Sequence, residues 1–454
     1  MSSVHVDAVA QRISPDPASF ASLSLPLAQR VFLALPPDAR GRACCVCRAW
    51  RDALAEPALW TRLDMADVGA GWQRYDDGDV FRGAAGRAQG QLRQLDLSQH
   101  SVRLDVLLPV LTANAGSLRE LHLRSVYDEG GRHAMCPTVE AVVAAAPLLQ
   151  VLTAEDAHYS GEHAPRMLRA EPPFALLQLR CHLEVTFDGI DGFARGLERV
   201  GPFAAALADA TLQPALSHVC VQKADTALPA VMGALVDAVL ARRLHKLSLQ
   251  RCTPPAAVPL ARLLSEGSLT SFAFTSRWPF GPPMLDAAGA ALVAAALRVN
   301  TTVTELKLSD AHLHRDMRVA GPLLGALVGH RSLRELHIDD ERTTADDRSA
   351  FGAALAALVA ADAPALHVLN CSSNRLGDAG LAPIVEALAL NRHLRELMVG
   401  RNGMSEAFAR ERLLPAVRAN TTLRWLDCAN DDDGEPEPAA LEAEELVRLR
   451  GQTA

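Results

Sequence analysis

Aromatic residues are scarce in this chain, 4% of 454 residues, although 49% of the sequence is hydrophobic. An interior made largely of Ala and Leu suits many small, similar layers better than one bulky centre. The length also exceeds that at which a single compact core stops growing, so a stacked repeat is the first thing to seek. No stretch offers about 18 uninterrupted apolar residues, and Met1 to Phe20 hold no apolar run behind a basic cluster, so neither a membrane span nor a secretory leader is expected. Positive charge is not in excess: the formal net charge is −8, the sequence pI is near 6.0, and Lys and Arg are spread along the chain. That does not support a nucleic-acid footprint, and no nucleic-acid partner is expected. The nine cysteines, at 44, 45, 47, 136, 181, 220, 252, 371 and 428, lack the even spacing of a disulfide framework, which points to a reducing cytoplasmic or nuclear setting.

Catalytic phrasing is missing too. There is no Gly-x-Ser-x-Gly, His-Glu-x-x-His or P-loop, and Gly69-Ala-Gly71 lacks the third glycine of a dinucleotide fingerprint. Cys44-x-x-Cys47 has no second pair downstream at zinc-site distance, and His312, His314 and Asp316 read as exposed loop residues before they read as metal ligands. No enzyme, cofactor or metal is expected.

What is present is a repeat of Leu-x-x-Leu-x-Leu, with other apolar residues or Cys allowed. Clear copies are Leu92/Leu95/Leu97, Leu118/Leu121/Leu123, Leu244/Leu247/Leu249, Val303/Leu306/Leu308, Leu333/Leu336/Ile338, Leu366/Leu369/Cys371, Leu394/Leu397/Val399 and Leu423/Leu426/Cys428. Looser copies start at Leu149, Leu176, Leu216 and Leu269, and a first copy is Trp60/Leu63/Met65. Successive starts lie 25 to 40 residues apart, room for a strand and a true helix in each repeat. Side chains alternate along a strand, so the leucines stack inward while their neighbours meet solvent. Between strands, Ala287 to Val299 and Gly377 to Leu390 carry apolar residues at helical spacing. The predicted fold is therefore α/β, a horseshoe solenoid of 12 or 13 repeats. Its inner sheet would span roughly 60 Å, a surface for a macromolecule.

Within the unit Leu366, Leu369, Cys371, Asn374, Leu376, the amide of Asn374 is expected to be buried where the chain leaves the strand and to bond backbone groups. Asn402 sits at the same offset, and Asn300, Asn391 and Asn420 each precede a strand by three residues. This phrasing resembles the ribonuclease-inhibitor type of leucine-rich repeat. The solvent-facing strand positions form the candidate partner-binding surface: Glu120, His122, Arg124, Lys246, Glu305, Lys307, Glu335, His337, Asp339, Glu396, Met398 and Trp425, with Asp96, Gln250 and Asp427 beside them. A large aromatic on an open strand makes Trp425 an expected interface anchor or a contact for the acidic C-terminal tail. Trp278 and Phe280, in a proline-rich loop, are a second candidate contact, the alternative being that the loop folds back onto its own repeat.

Ahead of the repeats, helices are expected at 26–34, 37–49 and 49–55, with Pro26 and Pro37 near their starts, where a missing N–H costs nothing. The succession Leu25-Pro26, Val31-Phe32, Leu35-Pro36, Val46-Cys47-Arg48-x-Trp50-Arg51 and Leu59-Trp60 resembles the F-box. In this chain Leu23-Ser24 fall where that family has its opening Leu-Pro, and the proline is displaced. The resemblance implies docking on a Skp-type adaptor of a cullin complex through Leu23, Leu25, Pro26, Val31, Phe32, Leu35 and Pro36, with a protein substrate held on the repeats. Val46, Trp50 and Trp60 would pack the segment or join it to the first repeat. The alternative is that 20–63 only caps the solenoid of a non-ligase scaffold, cytoskeletal or ciliary. The expected organisation is a flexible 1–19, an F-box-like segment at 20–59, repeats over 60–430, and an acidic tail with a short helix at 431–454.

Overall fold

In the computed structural model, described residues are 31–32, 35, 39–40, 43, 48–65, 79–127, 135–187, 196–276, 283–339, 348–428 and 437–453. They form two compact units, 1–158 with 170–180, and 159–169 with 181–454. The chain alternates strand and helix throughout. It runs α1 (Arg48–Leu54), β1 (Arg62–Asp64), α2 (Asp79–Arg87), β2 (Gln94–Arg103), α3 (Leu104–Ala113), β3 (Glu120–Tyr127), α4 (Met135–Ala145), β4 (Val151–Ser160), α5 (Ala164–Leu168), β5 (Leu177–Thr186), α6 (Gly196–Ala208), β6 (His218–Gln222) and α7 (Pro229–Arg242). It continues through β7 (Lys246–Cys252), α8 (Ala257–Glu266), β8 (Ser271–Ser276), α9 (Ala287–Val299), β9 (Glu305–Ser309), α10 (Met317–Leu327), β10 (Glu335–His337), α11 (Arg348–Ala360), β11 (Val368–Asn370) and α12 (Gly377–Leu388). The last elements are β12 (Glu396–Met398), α13 (Leu414–Ala419, entered through Glu406–Phe408 and a π turn at Ala409–Leu413), β13 (Trp425–Asp427) and α14 (Pro438–Thr453).

All recorded pairings are parallel and join consecutive strands. In the first unit Leu63, Leu95, Leu121 and Leu152 stand in one register row; in the second the row is Leu183, Val219, Leu247, Phe272, Leu306, Leu336, Leu369, Leu397 and Leu426. These residues are buried; most strand neighbours on the opposite side are half-buried or exposed, while Thr153, Cys220, Ser248, Ser271 and Val368 are themselves covered. Burying an aliphatic side chain of this size contributes about 1.5–3 kcal/mol, so the row is the axis of the core. This is the α/β leucine-rich-repeat fold that the sequence predicts. One register differs from expectation. The copy read as starting at Leu176 has its fourth position at Leu183, opposite Val219, so that repeat starts at Arg180. Leu177, Leu179, Leu183 and Val185 are all buried, so strand alternation continues through both frames and the sequence pattern alone fits either.

Asparagines link several repeats of the second unit to the one before. Asn300, Asn391 and Asn420 donate from Nδ2 to the carbonyls of Leu264, Val359 and Leu388, near the C-terminal ends of the preceding helices, where carbonyls have no partner within the helix. Each Oδ1 meanwhile accepts the N–H three residues ahead, at Val303, Leu394 and Leu423. His330 does the same work without being an asparagine: Nε2 donates to Leu297 O at 3.0 Å and Nδ1 accepts from Leu333 N at 3.2 Å. Further back, buried Arg242 donates to the carbonyls of Leu207, Asp209 and Leu212. At the end of the series α14 supplies the bonds that a following repeat would: Arg450 Nη1 donates to Val417 O and Asn420 O, and Glu444 accepts from Cys428 N.

Candidate functional site

The F-box-like segment is described at few positions, but those are well tied. Val31 and Phe32 take helical backbone. Val31 is 41% exposed, whereas Phe32 is 1% exposed, its ring meeting Trp50 edge-on at 5.4 Å. Phe32 therefore fills the interior of the segment, leaving Val31 and the half-buried Leu35 as the described apolar side chains open to a partner. Arg40 is drawn inward, with Nε donating to Leu35 O at 2.7 Å and Nη1 to Leu59 O at 2.6 Å; burial lowers its pKa. Trp60, with 0% exposure, donates from Nε1 to Leu54 O at 2.8 Å, and the guanidinium groups of Arg40 and Arg87 lie 5.7 and 5.2 Å from its ring centroid. Because Trp60 is also the first position of the first repeat, one buried side chain fastens the helical segment to the strand that follows. Leu23, Leu25, Pro26, Pro36 and Val46 lie outside the described residues, as do Cys44 and Cys47.

On the exposed strand face of the first unit, Glu120, His122 and Arg124 follow one another along β3, and His122 Nδ1 bonds Thr153 Oγ1 at 2.7 Å. On the second unit Glu305 lies between two lysines, at 2.6 Å from Lys307 and 3.9 Å from Lys246. Burial works to raise the Glu305 pKa, but the bonds from Lys307 and Ser271 outweigh it and leave the carboxyl below its ordinary value. From β10 onward carboxylates prevail: Glu335 stands 3.9 Å from His337, Asp339 accepts from Ser309 Oγ, and Glu396, Met398, Trp425 and Asp427 continue the rows. Burial and the neighbouring Glu444 push the Asp427 carboxyl up. Trp425 is 56% exposed. Trp278 and Phe280 lie outside the described residues.

The shifted register at β5 brings in residues that the sequence reading missed. His182 and His218 face each other across β5 and β6 with Nδ1 atoms 2.8 Å apart, so one ring donates and the other accepts. Gln222 Nε2 donates to Glu184 Oε1 at 2.5 Å and to Gln250 Oε1 at 3.1 Å, extending a polar network over three strands. Burial, then the nearness of His182 and Lys246, brings the His218 pKa down to about 4. Burial likewise pushes the Cys220 and Cys371 thiols up to about 12, far from a reactive thiolate. His312 is buried, while Asp316 caps α10 by accepting from Arg318 N. Among the described residues, no group of three or more His, Cys, Asp or Glu could hold a metal, and no helix is long and apolar enough to cross a membrane.

Residues 25–66 match the F-box-like family, a span that ends just past β1. A curated Arabidopsis thaliana protein, F-box/LRR-repeat protein 22, is 27% identical over 164 residues, which is 36% of this chain and 52% of that protein. The chain thus spans about half the length of that relative. Among solved structures, a chain from the crystal structure of the Rad7 and Elc1 complex in yeast covers 81% of this chain and 90% of its own length, at 13% identity and a TM-score of 0.34. The chain carries an F-box-like segment ahead of leucine-rich repeats.

Proposed function

We propose that this F-box-like, leucine-rich-repeat chain is the substrate-recognition subunit of a Skp/cullin/F-box ubiquitin ligase. Residues 20–59 dock on the Skp-type adaptor, with Leu23, Leu25, Pro26, Val31, Leu35 and Pro36 toward it and Phe32 supporting Val31 from inside. The exposed strand residues, from Glu120 and His122 to Trp425, hold a protein substrate. The observation that carries this reading is the F-box-like match at 25–66 running straight into the first repeat through buried Trp60. The buried Trp60 ties the adaptor-docking segment to the first repeat. The chain then acts by raising the local concentration of substrate beside the transfer machinery, and the transfer chemistry belongs to its partners. Such a complex works in the cytoplasm or nucleus.

The test uses the full chain and a Skp-type adaptor from the same source, measured by calorimetry. Wild type is expected to bind, and Val31→Asp, which places a charge at an exposed position, is expected to weaken binding by at least about tenfold, or about 1.4 kcal/mol. If the folded wild-type chain does not bind, the ligase reading fails. The packing of Arg40 and Arg87 about Trp60 would then favour the second reading, a repeat scaffold, cytoskeletal or ciliary, in which 20–63 is a cap.

A further inference from the structure

We infer that a cleft at the strand-entry edge of the second unit, between the repeats of β11, β12 and β13, is a binding site for a phosphoryl group. The cleft has a volume of about 360 Å³ and is lined by His367, Arg392, His393, Arg395, Thr422 and Arg424, with no carboxylate among them. His367, Arg395 and Arg424 stand in register on successive repeats, each donating its N–H to the carbonyl of the one before: His367 to Arg334 at 2.8 Å, Arg395 to His367 at 2.8 Å, and Arg424 to Arg395 at 2.7 Å. Cations placed opposite one another on neighbouring strands repel, and an anion between them removes that cost. A guanidinium matches two oxygens of a phosphoryl group with its forked donors.

The site is held ready by groups that take no part in binding. Asn391 Oδ1 accepts from His393 N and Leu394 N, and Asn420 Oδ1 accepts from Thr422 N and Leu423 N, which fixes both turns that project the lining side chains. Asp362, a carboxylate beside the cleft, is already engaged by Arg392 N at 2.7 Å and His393 Nδ1 at 3.0 Å. His367 Nδ1 donates to His393 O at 3.2 Å and His393 Nδ1 to Asp362 at 3.0 Å, so both rings are held in place at the cleft and the donors for a phosphoryl group are the guanidinium groups. Arg424 Nη1 is anchored on Thr421 O and Leu423 O, whereas the guanidinium groups of Arg392 and Arg395 donate no hydrogen bond among the described residues. The volume suits a phosphomonoester with a few flanking atoms. The site is independent of adaptor docking.

The experiment is calorimetric titration of the full chain with inorganic phosphate and with N-acetyl-phosphoserine methylamide, against chloride at matched ionic strength. Saturable binding of phosphate or phosphoserine, weakened at least about tenfold in the Arg392→Gln/Arg395→Gln double variant, supports the site. Tighter binding of the phosphoserine amide assigns it to a phosphorylated side chain of a partner; tighter binding of inorganic phosphate assigns it to a free small phosphate. Arg395→Lys, which keeps the charge and loses the fork, is expected to fall between wild type and the double variant, and it serves if the double variant does not fold. No saturable effect beyond that of chloride, or equal affinity in wild type and every folded variant, overturns the inference.

Discussion

Replacing Asn402 by alanine isolates the side chain that ties one repeat to its predecessor. Asn402 is 2% exposed. Its Oδ1 accepts from Asn374 N at 3.1 Å and Leu376 N at 3.2 Å, and its Nδ2 donates to Cys371 O at 3.0 Å and Val399 O at 2.8 Å. Alanine leaves two N–H groups and the Val399 carbonyl without this partner, while Cys371 O keeps the bond from Asn374 Nδ2 at 2.9 Å. At about 1–3 kcal/mol for each buried group left unsatisfied, and with water able to enter the space vacated by the amide, the expected loss lies toward the lower end of the sum, about 3–5 kcal/mol. Repeat arrays need not unfold in one step, so a global denaturation midpoint should be read together with hydrogen exchange. Urea unfolding followed by circular dichroism should show a lower midpoint. Exchange at the amides of Asn374 and Leu376 should quicken by at least about 100-fold, the factor that about 3 kcal/mol corresponds to. A change below about 1 kcal/mol, with those amides still protected, would refute the claim that this side chain holds the turn.

Three further outcomes follow from the same geometry. Because the His218 pKa is brought from 6.5 down to about 4 in the fold, the unfolded chain takes up a proton first; stability should fall as pH drops from about 6.5 toward 4, and His218→Gln should flatten that slope in urea titrations at stepped pH. A Cβ at Gly352 would lie 2.1 Å from the Gly380 carbonyl oxygen, so Gly352→Ala must force α11 and α12 apart and should cost about 1–3 kcal/mol, read as a lower melting temperature. Arg450→Met keeps the alkyl stem but leaves the carbonyls of Val417 and Asn420 without that donor; a loss of about 1–2 kcal/mol, with faster exchange confined to the last repeat, is expected from denaturation and hydrogen exchange.

The strand ladder was legible because period-two alternation and a spacing of 25 to 40 residues constrain one another: leucines that must stack in register repeat in the sequence. The helices at 287–299 and 377–388 follow from the same apolar spacing, and the first of them matches its predicted bounds. The link between repeats was legible only where it is asparagine. At His330 and Arg242 other side chains reach the carbonyls behind them, and a histidine or arginine in a sequence does not announce that geometry. The polar network of His182, Glu184 and His218 was hidden for a different reason. Leu177 and Leu179 satisfy alternation as well as Leu183 and Val185 do, so the frame at β5 is set by pairing with β6 and not by local pattern. The cationic cleft was out of reach because its members are adjacent only once successive repeats stack: His367 and Arg424 are far apart in sequence and share one opening.

The backward reach of the linking side chains gives the second unit a direction in time. A ribosome releases the chain N-terminus first, so the carbonyls of Leu264, Val359 and Leu388 emerge before the residues that will bond them. Each newly made repeat therefore completes its elder neighbour, and the youngest is always the one left frayed. The fraying ends only when Arg450 and Glu444 leave the exit tunnel and α14 settles on β13. A premature stop after β9 would consequently leave the last repeat made with helix-end carbonyls that no later side chain reaches.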